Sequence, residues 1–295
     1  MAGKSVFEGA ATALITPFTT DGVDFAAMGR LIDWQIDEGI DALVVCGTTG
    51  EAPTLKDEEH QALIEFTVRR TAGRIPVIAG VGSNDTEHAV MMTEFACNAG
   101  ADGLLVVTPY YNKTTQRGLI RSYERIADAS TKPLILYNVP SRTGVDILPE
   151  TYDVLADHPM IVGIKEASGN IARIVETMTL VGDRLDVYSG NDDQIVPILS
   201  LGGKGVISVL SNVLPAKTVE LCRRFREGDV AGSAALQKEL FPLIKALFSE
   251  VNPIPVKAAM AEMGFCEEIL RLPLVSMEEK NRKVLMREIN KIRVM

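Results

Sequence analysis

A lysine within an apolar segment is the first residue of this chain that suggests chemistry. Lys165 follows Ile161-Val162-Gly163-Ile164, a run typical of a buried β-strand. Burial disfavours the charged ammonium, and a neutral amine is a nucleophile that forms Schiff bases with ketones. Gly163 lies on the same face of the strand in a period-2 pattern, which would leave room for a bound group. The alternatives are a lysine that reaches solvent at the strand rim, or one paired with a buried carboxylate.

Three further segments carry groups that suit a carboxylate substrate. Gly47-Thr48-Thr49-Gly50 combines two hydroxyls with flexible ends and would hold a carboxylate through hydroxyl and backbone N–H groups, unless it is a plain turn. Tyr137 would relay protons to a carbinolamine, unless it is a core tyrosine with a satisfied hydroxyl. Arg142 would clamp a carboxylate with two hydrogen bonds, unless it is a solvated loop residue.

The elements that must position these residues form a repeating pattern. Eight short apolar runs, separated by segments with helical spacing, span residues 12–18, 42–46, 75–79, 103–108, 134–138, 161–165, 186–189 and 205–210. Continuous apolar strands that alternate with helices predict parallel strands covered by helices. An open doubly wound sheet also fits this alternation. The count of eight, and the absence of a Gly-x-Gly-x-x-Gly turn after the first run, favour a (β/α)8 TIM barrel, whose active site lies at the carboxyl ends of the strands.

The strand pattern stops near residue 228. Helical patterns then cover residues 231–248, 255–263 and 277–292. We therefore predict a catalytic barrel over residues 1–228 and a helical C-terminal extension over residues 229–295. Earlier in the chain, Thr54-Leu55-Lys56-Asp57 predicts a capping box in which Thr54 begins the second helix.

Composition excludes several classes of protein. The 295 residues are 46% hydrophobic and 23% charged, which is typical of a globular chain. Lys and Arg total 30 against 39 Asp and Glu, and the net charge of −9 argues against binding to nucleic acid or an anionic membrane. No apolar run has the length of a membrane span, and the N-terminus lacks a signal-peptide pattern. The four cysteines form no Cys-x-x-Cys pair and the three histidines lack metal-ligand spacing. We expect a cytoplasmic protein without a metal site.

Five motifs, taken together, resemble the dihydrodipicolinate synthase family of class I pyruvate aldolases and lyases. They occur in order and span essentially the whole chain. The motifs are Gly47-Thr48-Thr49-Gly50-Glu51, Tyr110-Tyr111-Asn112-Lys113, Tyr137-Asn138-Val139-Pro140-Ser141-Arg142-Thr143-Gly144, Gly163-Ile164-Lys165-Glu166 and Asn252-Pro253-Ile254-Pro255-Val256-Lys257. Each motif alone is modestly specific, whereas all five in register are highly specific.

The resemblance implies a catalytic role for several of these residues. Lys165 would form the Schiff base with pyruvate, whose carboxylate would rest on Thr48 and Thr49. Tyr137 would shuttle protons with the help of the Thr48 hydroxyl and of Tyr111. In the family the residue that corresponds to Tyr111 reaches into a neighbouring subunit's site, so the resemblance implies a homotetramer made of two tight dimers.

The second substrate and the product follow from the same resemblance. Arg142 would hold the carboxylate of L-aspartate 4-semialdehyde, and Gly190, Ile207 and Asn252 would line the pocket. The product would be 4-hydroxy-tetrahydrodipicolinate, a precursor of diaminopimelate and lysine. The resemblance implies that no metal or organic cofactor takes part, because the lysine supplies the electron sink.

Lysine regulation is where this sequence departs from the family pattern. Feedback-regulated relatives bind lysine in a pocket at a dimer interface. Tyr110, Asn84 and His60 match that pocket, but His88 replaces an acidic residue and Asp57 replaces a histidine. A carboxylate that would face the lysine ammonium is lost at position 88, so we expect weak or absent inhibition by lysine.

Two other functions are compatible with parts of the pattern. N-acetylneuraminate lyase and the keto-deoxy-gluconate aldolases share the lysine and the tyrosine, but they usually differ in the loop after the second strand and lack the arginine. Arg142 together with Thr48 and Thr49 therefore argues against them. A catalytically inactive barrel with a structural or regulatory role is the other alternative, and the presence of both Lys165 and Tyr137 argues against it.

Overall fold

The computed structural model of the protein describes residues 5–293 and contains a closed barrel of eight parallel strands. The strands are β1 (Gly9–Ala13), β2 (Ala42–Val45), β3 (Val77–Gly80), β4 (Gly103–Val107), β5 (Leu134–Asn138), β6 (Ile161–Glu166), β7 (Asp186–Ser189) and β8 (Gly205–Ser208). Each strand pairs with the next, and β8 pairs with β1 in a register that sets Ala11 opposite Ile207. Closure confirms the predicted TIM barrel and excludes an open doubly wound sheet.

Helices surround the barrel and extend it. Within residues 5–293 they are α1 (Phe25–Asp37), α2 (Asp57–Thr71), α3 (Thr86–Asn98), α4 (Gln116–Asp128), α5 (Pro140–Thr143), α6 (Pro149–Leu155), α7 (Ile171–Val181), α8 (Ile195–Ser200), α9 (Pro215–Arg226), α10 (Val230–Leu247), α11 (Ile254–Glu262) and α12 (Glu279–Arg293). Asp24 caps α1 by accepting a hydrogen bond from the Ala27 N–H at 2.9 Å, as its position before an apolar stripe favours. The division of the chain at residue 228 stays a prediction.

The start of the barrel differs from the sequence prediction. The first strand was expected over residues 12–18, but β1 ends at Ala13 and residues 18–19 instead form a short hairpin with residues 22–23. The strand consists of Gly9, three alanines and one threonine, and so lacks the run of β-branched residues that is typical of strands. Glycine is required at two paired positions, because a Cβ on Gly205 of β8 would lie 1.8 Å from the Gly9 carbonyl oxygen and a Cβ on Gly9 would lie 2.1 Å from the Asp41 carboxylate.

The predicted cap of α2 is also wrong. Thr54 lies in a short 3-10 turn, where its hydroxyl donates to the Glu51 carbonyl at 3.0 Å. The N-cap position is Lys56, whose backbone N–H donates to the Glu59 carboxylate at 3.1 Å. The Thr54 hydroxyl therefore satisfies the preceding turn rather than the helix.

The interior of the barrel is packed at its amino end. Tyr188 of β7 is fully buried and stacks on Phe7, with ring centroids 4.4 Å apart. Its hydroxyl donates to the Phe7 carbonyl at 2.8 Å. Because these rings fill the amino-terminal end, a ligand must enter from the carboxyl ends of the strands, where barrel active sites lie.

The C-terminal helices pack on the barrel and reach the same end. Helix α10 packs against α9 and α12, and α11 contacts both α10 and α12. All side chains from Ile254 to Met260 in α11 are buried. Among the described residues, no helix has both the length and the apolar character required to span a bilayer.

Arg271, in the segment between α11 and α12, binds Glu59 of α2 through two hydrogen bonds of 2.5 and 2.6 Å. Arg271 holds the pKa of Glu59 at about 2, below its usual 4.5, although burial opposes this shift. Because the pKa of Glu59 is lower in the folded than in the unfolded chain, its ionised carboxylate stabilises the fold. This stabilisation is complete above pH 4.5 and is lost as the pH falls through 2. Glu59→Gln is therefore expected to lower the urea midpoint at neutral pH, with the difference from wild type shrinking towards pH 2. A difference that is constant with pH would contradict this account.

Candidate active site

Lys165 and Tyr137 lie side by side inside the carboxyl end of the barrel. They are Cα partners in the β5–β6 ladder, and both side chains are 6% exposed. The Lys165 Nζ lies 4.2 Å from the centroid of the Tyr137 ring, within range of a cation–π interaction. The structure thus brings the predicted nucleophile into contact with the residue predicted to relay protons.

Gly163 does not leave the open space that is predicted from the sequence. A Cβ at this position would lie 2.9 Å from the Asp186 carbonyl oxygen and 3.4 Å from the Tyr188 ring. The missing side chain therefore allows β7 to approach β6. Residues of β7 occupy the volume that was predicted to hold a bound group. The alternation of side chains along β6 alone could not show this, because it contains no information about the adjacent strand.

The segment after β2 is a tight turn with an accessible hydroxyl. The Gly50 N–H donates to the Gly47 carbonyl at 3.1 Å, and the Thr16 hydroxyl donates to the Gly50 carbonyl at 2.7 Å. Thr49 is buried, whereas Thr48 is half-buried and lines a cavity of about 400 Å³. The segment is thus a strand-to-helix turn that also presents the Thr48 hydroxyl to a cavity. Its role in holding a carboxylate stays a prediction.

Arg142 connects two predicted site segments through Asn252. Arg142 lies in α5 and also lines the cavity, together with Tyr137 and Thr48. Its guanidinium donates to the Asn252 carbonyl at 3.1 Å, and the Asn252 side-chain amide donates to the Thr49 hydroxyl at 3.0 Å. Asn252 thus orients both the Arg142 guanidinium and the turn that contains Thr48 and Thr49 (the threonine turn).

Asp192 is a buried carboxylate close to Lys165, and no role is predicted for it from the sequence. It follows β7 and accepts hydrogen bonds from the Ser208 hydroxyl at 2.5 Å, the Val209 N–H at 3.1 Å and the Leu210 N–H at 2.9 Å. Burial raises the pKa of Asp192, while these hydrogen bonds and the positive charge of Lys165 oppose the shift. The carboxylate fastens the end of β7 to the end of β8. Its position directly after an apolar strand is the signal that would have identified it.

Several of the residues predicted to form a regulatory pocket line the same cavity. Tyr110, His60 and His88 are among them. The His88 Nε2 lies 3.0 Å from the Asp57 carboxylate, and the His60 Nε2 bonds the Gly80 carbonyl at 2.8 Å. Burial lowers the pKa of His60. The Asp57 carboxylate therefore pairs with the imidazole of His88, the residue that replaces the acid of the family pattern.

Four other predicted residues lie apart from this cavity lining. Tyr111 is 91% exposed, with a left-handed φ of 70°. Ile207 is fully buried in the barrel interior. Gly190 is close-packed, since a Cβ there would lie 2.7 Å from the Ala167 Cβ. The Asn84 carbonyl accepts a hydrogen bond from the Asn112 side chain at 2.8 Å.

Comparison with known proteins gives consistent matches along the chain. The profile of the dihydrodipicolinate synthetase family matches residues 6–292. A 4-hydroxy-tetrahydrodipicolinate synthase of Thermoanaerobacter sp. is 55% identical over 281 residues, which cover 95% of each chain. A crystal structure of dihydrodipicolinate synthase from Aquifex aeolicus superimposes with a TM-score of 0.96 at 47% identity, covering 97% of this chain and 98% of that one. The Acinetobacter baumannii enzyme complexed with pyruvate gives a TM-score of 0.95 at 42% identity, covering 98% and 99%.

Proposed function

The chain belongs to the dihydrodipicolinate synthetase family, and we infer from this membership that it is a lyase that condenses pyruvate with L-aspartate 4-semialdehyde. The product is 4-hydroxy-tetrahydrodipicolinate, in the synthesis of diaminopimelate and lysine. The observation that supports placing this reaction at the carboxyl end of the barrel is the contact between Lys165 and Tyr137, beside a cavity lined by Thr48 and Arg142.

The proposed reaction begins with attack of the Lys165 amine on the keto carbon of pyruvate. Loss of water gives the Schiff base, and loss of a methyl proton then gives the enamine. Tyr137 carries these protons, with Thr48 and Tyr111 as partners, while the substrate carboxylate rests on Thr48 and Thr49. The enamine carbon attacks the aldehyde carbon of the second substrate. The amine of that substrate closes the ring and displaces Lys165, which leaves as the free amine. The protonated imine serves as the electron sink, so the reaction requires neither a metal nor an organic cofactor.

The proposed function is tested by supplying pyruvate together with different aldehydes. L-aspartate 4-semialdehyde is expected to be consumed with pyruvate, whereas N-acetylmannosamine and glyceraldehyde, the acceptors of the sister aldolases, are expected to be poor substrates. Preference for either sugar-type aldehyde would reassign the chain to a sister aldolase. Absence of turnover with all three would favour an inactive barrel.

Arg142 is proposed to bind the carboxylate of the aldehyde substrate. We expect Arg142→Ala to raise the KM for L-aspartate 4-semialdehyde by about 10- to 100-fold, the range for losing a hydrogen bond to a charged group. The effect on pyruvate is expected to be smaller. Arg184→Ala is the matched control, because Arg184 pairs with Asp153 of α6 and with Asp157 in the turn that follows α6. An equal loss of affinity for both substrates in Arg142→Ala would contradict the assignment.

Lysine is expected to inhibit this enzyme weakly or not at all. The Asp57 carboxylate already pairs with His88, and no acid stands at position 88 to receive the ammonium of lysine. A titration of L-lysine into the assay checks this expectation, and strong inhibition at sub-millimolar lysine would overturn it. The double variant Asp57→His with His88→Glu restores the order of acid and histidine of regulated relatives and is expected to gain sensitivity to lysine.

We also propose a homotetramer made of two tight dimers, with Tyr111 completing the site of a neighbouring subunit. Its 91% exposure and its separation from the cavity of its own chain support this role. Cytoplasmic localisation is proposed as well. All four cysteines are free thiols, which suits a reducing compartment.

A further inference from the structure

A buried ion pair joins the C-terminal extension to the threonine turn. The Lys257 Nζ of α11 lies 2.7 Å from the Glu51 carboxylate, and the two side chains are 0% and 1% exposed. The same Nζ donates to the Thr16 carbonyl at 2.6 Å and to the Ile269 carbonyl at 3.1 Å. An ammonium has three protons to donate, so each has an oxygen within reach. The charge is therefore fully satisfied without water.

Glu51 is the third residue after Thr48 and closes the turn that contains it. Its backbone N–H donates to the Thr48 carbonyl at 3.1 Å, and its φ of 56° is left-handed. Such a conformation is costly for a residue with a side chain and persists only where its surroundings hold it. The second carboxylate oxygen accepts the Arg271 N–H at 3.0 Å. The Glu51 side chain is thus held by two parts of the extension, Lys257 of α11 and the backbone of Arg271.

Stability alone is a weak reason for such a pair. Desolvation of two buried charges offsets most of their attraction, and apolar residues of similar volume often stabilise a fold equally well. Burial indeed lowers the pKa of Lys257, with the charge of Glu51 opposing the shift. An ion pair differs from an apolar contact in fixing the distance and direction between two atoms. In this position it fixes the turn relative to α11, beside the hydrogen bond from Asn252 to Thr49.

We propose that Lys257 and Glu51 are positioning residues for the pyruvate carboxylate. Their buried pair holds the turn of Thr48 and Thr49 in the conformation that receives the carboxylate, so the C-terminal extension forms part of the substrate site. This inference rests on the proposed function. Neither side chain contacts the reacting atoms, and both act through the backbone of the turn.

The test is the double variant Lys257→Met with Glu51→Gln. It removes both charges together, and the glutamine retains an oxygen for the Arg271 N–H. Its melting temperature is expected to fall, because the Thr16 and Ile269 carbonyls lose a donor, but to fall less than that of either single variant, each of which leaves one buried charge unpaired. The pyruvate concentration that gives half-maximal trapping on Lys165 by borohydride is expected to rise about tenfold in the double variant, as for a weakened hydrogen bond to a carboxylate. The kcat at saturating substrate is expected to change less.

The control removes another ion pair of the extension. Arg282 of α12 pairs with Glu268, and Arg282→Met with Glu268→Gln is expected to leave the half-saturating pyruvate concentration unchanged. A double variant at positions 51 and 257 that traps pyruvate like the wild type would overturn the positioning role while leaving the proposed function intact. A wild type that traps no pyruvate at all would overturn the proposed function, and this inference with it.

Discussion

Lys165→Ala is expected to abolish turnover of pyruvate with L-aspartate 4-semialdehyde, with a loss in kcat of at least about 10⁴-fold, as for removal of other enzymatic nucleophiles. The reason is chemical, since alanine has no amine to form the Schiff base. The measurement is the initial rate of product formation at saturating substrates.

Two controls separate this effect from a loss of structure. Lys165 is 6% exposed and packs on the Tyr137 ring, so the melting temperature of the variant must be recorded beside its activity. Lys217→Ala removes a half-exposed lysine of α9 that pairs with Glu239 and is expected to retain full activity. A folded Lys165→Ala enzyme that keeps even a few per cent of the wild-type rate would contradict the assignment of the nucleophile.

Tyr137→Phe is expected to have the second largest effect. The ring remains, so its contact with Lys165 at 4.2 Å is preserved and only the hydroxyl is lost. Loss of a group that transfers protons lowers kcat by about 10²- to 10⁴-fold. Steady-state kinetics measures this loss, and the adduct of pyruvate on Lys165 is expected to form more slowly.

Tyr123→Phe is the matched control for this substitution. Tyr123 is a buried tyrosine of α4 whose hydroxyl donates to the Val106 carbonyl at 3.5 Å, away from the cavity. Removing its hydroxyl is expected to leave kcat nearly unchanged. A Tyr137→Phe enzyme with the kcat of the wild type would show that another group carries the protons.

The barrel and the partners of the nucleophile could be predicted from the sequence because their signals are local. Continuous apolar runs located seven of the eight strands closely, and the strand ends placed Thr48, Tyr137 and Lys165 at one edge. The first strand was misplaced because its Gly9 and alanines lack the β-branched signal of the others. The space assigned beside Gly163 was wrong because the neighbouring strand, which the local pattern does not contain, fills it.

The supports of the site could not be predicted in the same way, because they join distant parts of the chain. The Asn252 amide bonds the hydroxyl of Thr49 across 203 positions. Lys257 and Glu51 were visible as members of two motifs. Nothing in either motif indicates that the two charges meet in a buried pair, since that contact depends on how α11 packs against the carboxyl end of the barrel.

The central claim is that pyruvate forms a Schiff base on Lys165, and borohydride trapping tests it most directly. The purified enzyme would be reduced in the presence of pyruvate, digested and mapped by mass spectrometry. The account predicts a reduced pyruvyl adduct on the peptide that contains Lys165 and on no other lysine, together with loss of activity. An enzyme that remains active and unmodified under these conditions, or one modified at Lys257 in place of Lys165, would contradict it.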